Sequence, residues 1–180
     1  MDNYLTARAP GPSPVIKMRD IVKTYGKGQN RIVALREISF EVSQGEFVAI
    51  LGPSGSGKTT LMNIIGLMDA ADSGEYYLDG KDVANSKEHT WSRLRNAKIG
   101  FVFQKFNLIA KYSALYNVAL PLMMQGKSYR SAKADAQRTL ERVGLADRVG
   151  HKPSELSGGQ VQRVAIARAL VGGCSLILAD

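Results

Sequence analysis

An apolar run, a glycine-rich loop and an amphipathic helix pattern follow one another without a gap between Phe47 and Met68. The run FVAIL, residues 47–51, has the pattern of a strand covered on both faces in a parallel sheet. The loop GPSGSGKT, residues 52–59, comes next. Leu61, Ile64, Ile65 and Met68 then recur at i, i+3, i+4 and i+7, the spacing of one helix face. A buried strand, a tight loop and a helix in this order confine the chain to an α/β architecture. Met62 and Met68 read as core filler rather than chemistry.

The loop matches G-x-x-x-x-G-K-[ST] at every position. Gly52, Gly55 and Gly57 let the backbone turn its N–H groups inward, and Pro53, Ser54 and Ser56 fill the variable positions. The helix that follows adds its positive end, Lys58 reaches the β and γ phosphates, and the Thr59 hydroxyl holds Mg²⁺. A merely flexible glycine turn would leave the flanking strand and helix unexplained. The loop therefore makes this a phosphate-binding chain, without saying of which kind.

A second octapeptide, LSGGQVQR at residues 156–163, narrows the choice. Ser157 and Gln160, three residues apart, form the signature of a capping box at a helix start. Gly158 and Gly159 are poor helix formers in a first turn, and are better explained if something must approach that backbone closely. The serine hydroxyl and exposed N–H groups make a second anion site in the same chain.

Around these motifs the chain reads as follows. APGPSP, residues 9–14, marks the end of a flexible tail over 1–14. Residues 15–25 and 38–42 alternate as strands of a partly exposed sheet, with a turn at 43–46. SGEYYLDG, residues 73–80, is a strand closed by an Asp-Gly turn, and IGFVFQ, residues 99–104, is a strand ending in a polar residue. Between 112 and 149 the pattern becomes helical, with Ala132, Ala136, Leu140 and Val143 on one face and Gly144 as terminator. The final run CSLILAD, residues 174–180, is a buried strand delivering a carboxylate at its carboxyl end. Such a strand seldom ends a domain.

Composition sets limits but names no activity. A hydrophobic fraction of 44% and a charged fraction of 22% are those of a globular chain of one compact unit. The formal charge of +8 comes from scattered lysines and arginines, which favours a solvated surface over a nucleic-acid face. The single Cys174 rules out an internal disulfide, and His89 and His151 have no metal-ligand spacing. No apolar stretch is long enough to span a membrane and the amino terminus has no signal-peptide pattern.

The two motifs together resemble the nucleotide-binding subunits of ABC transporters, over nearly everything from Val15 to Asp180. At average residue usage the match of residues 156–163 to that family's signature has a chance probability below about one in a million. MNIIGLMD, IGFVFQKFNLI, ALYNVALPL and RVGLADR look closest to the branch serving lipoprotein release, macrolide efflux and cell division. The resemblance implies a P-loop NTPase (RecA-like) core, an N-terminal antiparallel β subdomain and an inserted α-helical subdomain. The core would take residues 15–104 and 172–180, and the helical subdomain 105–171.

The resemblance also implies roles. Tyr25 matches the aromatic that stacks on adenine, Thr60 a phosphate contact beside Thr59, and Gln104 the catalytic glutamine that touches Mg²⁺ and the attacking water. Lys58 shares the catalytic assignment. Asp180 matches the acid that binds the Mg²⁺ shell, completing a metal set of Thr59, Gln104 and Asp180. Ser157, Gly158, Gly159 and Gln160 would bind ATP held by the P-loop of a second copy. The expected partners are ATP, a second ATP-binding subunit and a transmembrane permease; no nucleic acid is expected. The expected location is the cytoplasmic face of the membrane, reached through that permease.

In the resembled family the aspartate is followed by a glutamate that polarises the attacking water, then by a dimer-contact loop and a histidine that senses the γ-phosphate. The C-terminal part is expected to be missing from this chain by truncation. The 180 residues are then expected to bind nucleotide and to hydrolyse it poorly, since a positioned base contributes about 10²- to 10⁴-fold. By the same expectation residues 47–51 would become an exposed apolar edge and the chain would be aggregation-prone. The alternatives are a soluble ABC protein acting on nucleic acid or ribosomes, to which the basic charge would lend support, and a non-hydrolytic nucleotide-binding module.

Overall fold

The structure is a computed structural model and describes residues 14–180, so the expected tail lies outside the described residues except for Pro14. The chain divides into two compact units, one ending at Ser86 and the other spanning Lys87–Asp180.

The first unit is built on an antiparallel sheet. Its strands are β1 (Ile16–Tyr25), β2 (Ile32–Val42), β3 (Ser73–Leu78) and β4 (Lys81–Asp82), in the order β2-β1-β3-β4. Alternation buries Ile16 and Met18 of β1 and, after an irregularity at Asp20 that shifts the phase, Ile21, with Leu35 of β2 and Tyr76 and Leu78 of β3. Leu78 pairs with Lys81 across Asp79 and Gly80, whose φ values of 47° and 73° make the tight turn that suits the twist of a hairpin. The Asp-Gly signal was therefore correctly placed.

Helix α1 (Lys58–Ile65) buries Leu61, Ile64 and Ile65. The buried Tyr76 hydroxyl donates to the Ile65 carbonyl at 2.8 Å, satisfying one of the acceptors that a helix end leaves open. The helix stops at Ile65, so Met68 is not on its face and is 43% exposed; Leu67 occupies the core instead.

Residues 47–51 require a correction, because they form no strand. Phe47 is 93% and Leu51 89% exposed, and no strand among the described residues pairs with the run. A parallel strand exists only through its neighbours' N–H and C=O groups, and hydropathy carries no information about them.

In the second unit β5 (Ile99–Val102) and β6 (Leu176–Ala179) pair in parallel, with Val102 opposite Ala179. Of β6 only Leu178 is buried and Ile177 is 48% exposed, so the terminal strand is covered on one face rather than both. Helix α2 (Glu88–Lys98), which the sequence reading did not place, buries a single residue, Trp91. Helices α3 (Ala114–Met124), α4 (Tyr129–Arg142) and α5 (Gly158–Leu170) share a core of Val118, Leu122, Leu140, Leu145 and Val164 with alanines between them. The expected face of α4 is buried at Ala132, Ala136 and Leu140. Gly144 ends it at φ 71°, where its N–H bonds Glu141 and that of Leu145 bonds Leu140, both at 2.9 Å. Among the described residues no helix is long and apolar enough to cross a membrane.

One buried polar residue fastens the loop before α3. The Asn117 amide accepts from the Ile109 N–H at 2.7 Å and donates to the carbonyls of Ile109, Tyr112 and Ser113 at 3.0–3.2 Å. Asn117→Ala takes the side-chain partner from the Ile109 N–H and the Tyr112 carbonyl, while the Ile109 and Ser113 carbonyls keep backbone donors, and is expected to cost about 2–4 kcal/mol. Urea unfolding measures it; an unchanged midpoint would contradict the role.

Candidate functional site

In the first unit the phosphate loop leads directly into α1. Gly57 caps that helix at φ 89°, and a Cβ there would lie 2.5 Å from the Ala34 carbonyl of β2, so only glycine lets the loop seat against the sheet. The cap offers no side-chain acceptor, and the N–H groups of Lys58, Thr59 and Thr60 have no backbone or side-chain partner before the helical ladder starts at Leu61. Residues 52–56 are exposed. The Lys58 ammonium donates to the Gly52 and Pro53 carbonyls, each at 2.7 Å, and so lies across the loop it is meant to serve.

Tyr25, the last residue of β1, is 41% exposed. Its hydroxyl donates to Asp69 Oδ2 at 2.7 Å, and the Thr60 side chain of α1 acts on the same phenol oxygen. The structure thus brings Tyr25, Thr60 and the phosphate loop together. Asp69 also accepts from the Lys23 ammonium at 2.7 Å, and Lys23 Nζ lies 5.1 Å from the Tyr25 ring centroid. The hydrogen bond to Asp69 and then burial push the Tyr25 phenol above its ordinary value. Burial opposes ionisation of Asp69, but the bonds from Lys23 and Tyr25 outweigh it and hold the carboxyl below its usual range.

In the second unit the strand-end residues converge. The Asp180 N–H donates to the Val102 carbonyl at 3.0 Å, extending the parallel ladder by one step, and Gln104 follows two residues after Val102 in an exposed turn. The two side chains therefore belong to the carboxyl ends of neighbouring strands, where open α/β sheets bind ligands. The chain after Gln104 passes through Phe106 and Asn107, both with left-handed φ, of 58° and 47°. Arg168 of α5 donates to both of their carbonyls, at 2.8 and 2.6 Å, with its guanidinium pushed down by burial. It holds in place a turn that side chains disfavour.

At the start of α5 the expected capping box is present. Ser157 N–H donates to Gln160 Oε1 at 2.9 Å and Gln160 N–H to Ser157 Oγ at 3.4 Å. These two bonds leave the N–H groups of Gly158 and Gly159 open, both residues being exposed. A Cβ at either would meet nothing within 4 Å, so packing inside the chain does not demand glycine there.

Lys23, Asp69 and Arg168 were not singled out from the sequence. Lys23 shares the buried side of β1 with Ile21, and Arg168 stands four residues after Val164 on the buried face of α5. A charge on an apolar face was the signal available, because it must find a partner there. Cys174 is a plain structural thiol, donating to the Ala169 carbonyl at 3.4 Å and pushed up by burial.

The ABC transporter family model matches residues 35–180. The chain is 49% identical over 166 residues to the uncharacterized ABC transporter ATP-binding protein YknY of Bacillus subtilis, covering 92% of this chain and 72% of that one. It is 48% identical to the macrolide export ATP-binding/permease protein MacB of Mannheimia succiniciproducens, covering 92% of this chain but 26% of that protein's length. Among solved structures, the dimeric post-hydrolysis state of the ATP-binding cassette MJ0796 bound to ADP and Pi superposes with a TM-score of 0.83 at 44% identity. That match covers 92% of this chain and 73% of the other.

The depressed Asp69 carboxyl gives a stability term with a definite pH window. It is fully present above the unfolded value of about 4 and is lost as pH falls through the lower folded value. Thermal melts from pH 6 to 2.5 are expected to show the advantage of the native chain over Asp69→Asn shrinking as the pH drops below about 4. An advantage that stays constant through that range would contradict the charged pairing.

Proposed function

The chain belongs to the ABC transporter family, and from that membership we propose that it is an ATP-binding motor subunit driving a membrane permease. The observation that carries this is the phosphate loop. Gly57 is forced against β2, three first-turn N–H groups are open, and the lysine already lies across the loop. The open N–H groups can take phosphate oxygens as they stand, and the Lys58 ammonium would exchange the Gly52 and Pro53 carbonyls for phosphate.

Tyr25, beside the loop, would stack on the base. Thr60 would meet phosphate beside Thr59. The exposed amino end of α5 serves no packing purpose with its glycine pair, which fits a ligand arriving from outside the chain. We assign Ser157, Gly158, Gly159 and Gln160 to the ATP held by a second copy. MJ0796 is described as dimeric, and in MacB the ATP-binding part and the permease share one protein name. A permease would place this chain at the inner face of a membrane.

Thr59, Gln104 and Asp180 offer a hydroxyl, an amide carbonyl and a carboxylate, the hard oxygen donors that Mg²⁺ takes together with phosphate. When bound, the ion would offset the charge of the β and γ phosphates. The chain's own contribution is to aim backbone N–H groups and the Lys58 ammonium at that charge. Gln104, placed by the Arg168-held turn, would orient water at the γ-phosphate for hydrolysis. We divide the chain by role into 15–104 with 172–180 for nucleotide and 105–171 for the helical part.

Lys58→Ala removes the ammonium while sparing α1, and is expected to abolish tight binding of Mg-ATP, a loss of about 100-fold or more. Calorimetric titration measures it. Unchanged affinity would contradict the site.

A further inference from the structure

Lysine is almost never fully buried without partners. Lys23 is 8% exposed, and its ammonium meets Asp69 Oδ1 at 2.7 Å, the Ala70 carbonyl at 2.6 Å and Asp72 Oδ1 at 3.9 Å. None of these groups belongs to the phosphate loop at residues 52–59. What they converge on is Asp69, whose second oxygen takes the Tyr25 hydroxyl and whose first also accepts from the Ala70 N–H at 2.8 Å.

We propose that Asp69, locked in place by Lys23, is the positioning residue that fixes the Tyr25 ring for the nucleobase, so that it sets affinity for the base and not for the phosphates. This rests on the assignment of Tyr25 as the base platform. The phenol is tied at its far end by Asp69, and the Lys23 ammonium stands over the ring. With the ammonium over one face, a base would have the opposite face to stack on, the residue being 41% exposed. A tyrosine at a strand end would otherwise have to give up rotamer freedom when a base stacks on it. Anchoring removes that loss before the ligand arrives. Asp72 completes the frame by accepting from the Thr24 N–H at 2.7 Å, one residue before the ring.

The test titrates the full chain with Mg-ATP and, in parallel, with inorganic tripolyphosphate, for the native protein and for Tyr25→Ala, Tyr25→Phe and Asp69→Asn. Tyr25→Phe keeps the ring and removes the hydroxyl, with its bond to Asp69 and its contact with Thr60, so it tests the anchoring of the ring even if Asp69→Asn fails to fold. The expected result is that Tyr25→Phe and Asp69→Asn each raise the Kd for ATP about 5- to 10-fold, with tripolyphosphate within about 2-fold of native. Combining the two changes should add little, because both act through the same Tyr25–Asp69 contact. If Tyr25→Ala weakens ATP while Tyr25→Phe binds it like the native chain, Asp69 positions nothing and the proposal falls alone. If ATP and tripolyphosphate weaken equally, the cluster is merely a structural fastening and the proposal is again overturned. If Tyr25→Ala leaves ATP affinity unchanged, the base platform and the proposal fall together.

Discussion

The first turn of an α-helix leaves N–H groups that its own ladder cannot satisfy, and each of the two units has one such turn left open. At α1 the groups of Lys58, Thr59 and Thr60 are open; at α5 those of Gly158 and Gly159 are. Left exposed to water they are harmless, but they are also ready donors for an anion, and each helix's dipole puts partial positive charge at its own first turn. Much of the surrounding structure serves to hold these turns open. Gly57 seats the first against β2, and the Ser157–Gln160 box closes only the N–H groups on either side of the second.

Buried and half-buried polar groups do the remaining positioning, each by fixing backbone or an aromatic ring rather than by filling space. Asn117 ties residues 109–113 to α3, Arg168 holds the left-handed turn that follows Gln104, and Asp69 anchors Tyr25. Each is costly to bury alone and favourable only when its partners are met, which is why removing one partner matters more than the bond itself is worth. Sites made in this way are rigid at the points where geometry matters and leave the ligand surfaces uncovered.

What could be read from the sequence was local. The glycine turn running into α1, the capping box at 157 and 160, the Asp79-Gly80 turn and the α4 face at Ala132, Ala136 and Leu140 each follow from residues within a few positions of one another, and the structure shows them, with Lys58 and Thr59 already in α1 and Val143 past the end of α4. Residues 47–51 were misread because strand identity depends on partners distant in sequence. Helix α2 was overlooked because EHTWSRLRNAK buries only Trp91 and has no apolar stripe to reveal its period. Met68 continued the numerical pattern of α1 past the point where the helix had ended. Lys23, Asp69 and Arg168 passed unnoticed because a charged residue reads as surface until its partners are known.

The central claim is that the open turn at α5 completes a nucleotide site begun by the phosphate loop of another copy. Sedimentation velocity of the chain with Mg²⁺ and a non-hydrolysable ATP analogue tests it most directly, comparing the native protein with Gly158→Glu. That substitution meets no neighbour inside the chain and puts a carboxylate where phosphate should arrive. The expected result is nucleotide-dependent dimerisation of the native chain, with Gly158→Glu still binding the analogue but remaining monomeric. Dimerisation of Gly158→Glu to the native extent would contradict the shared site.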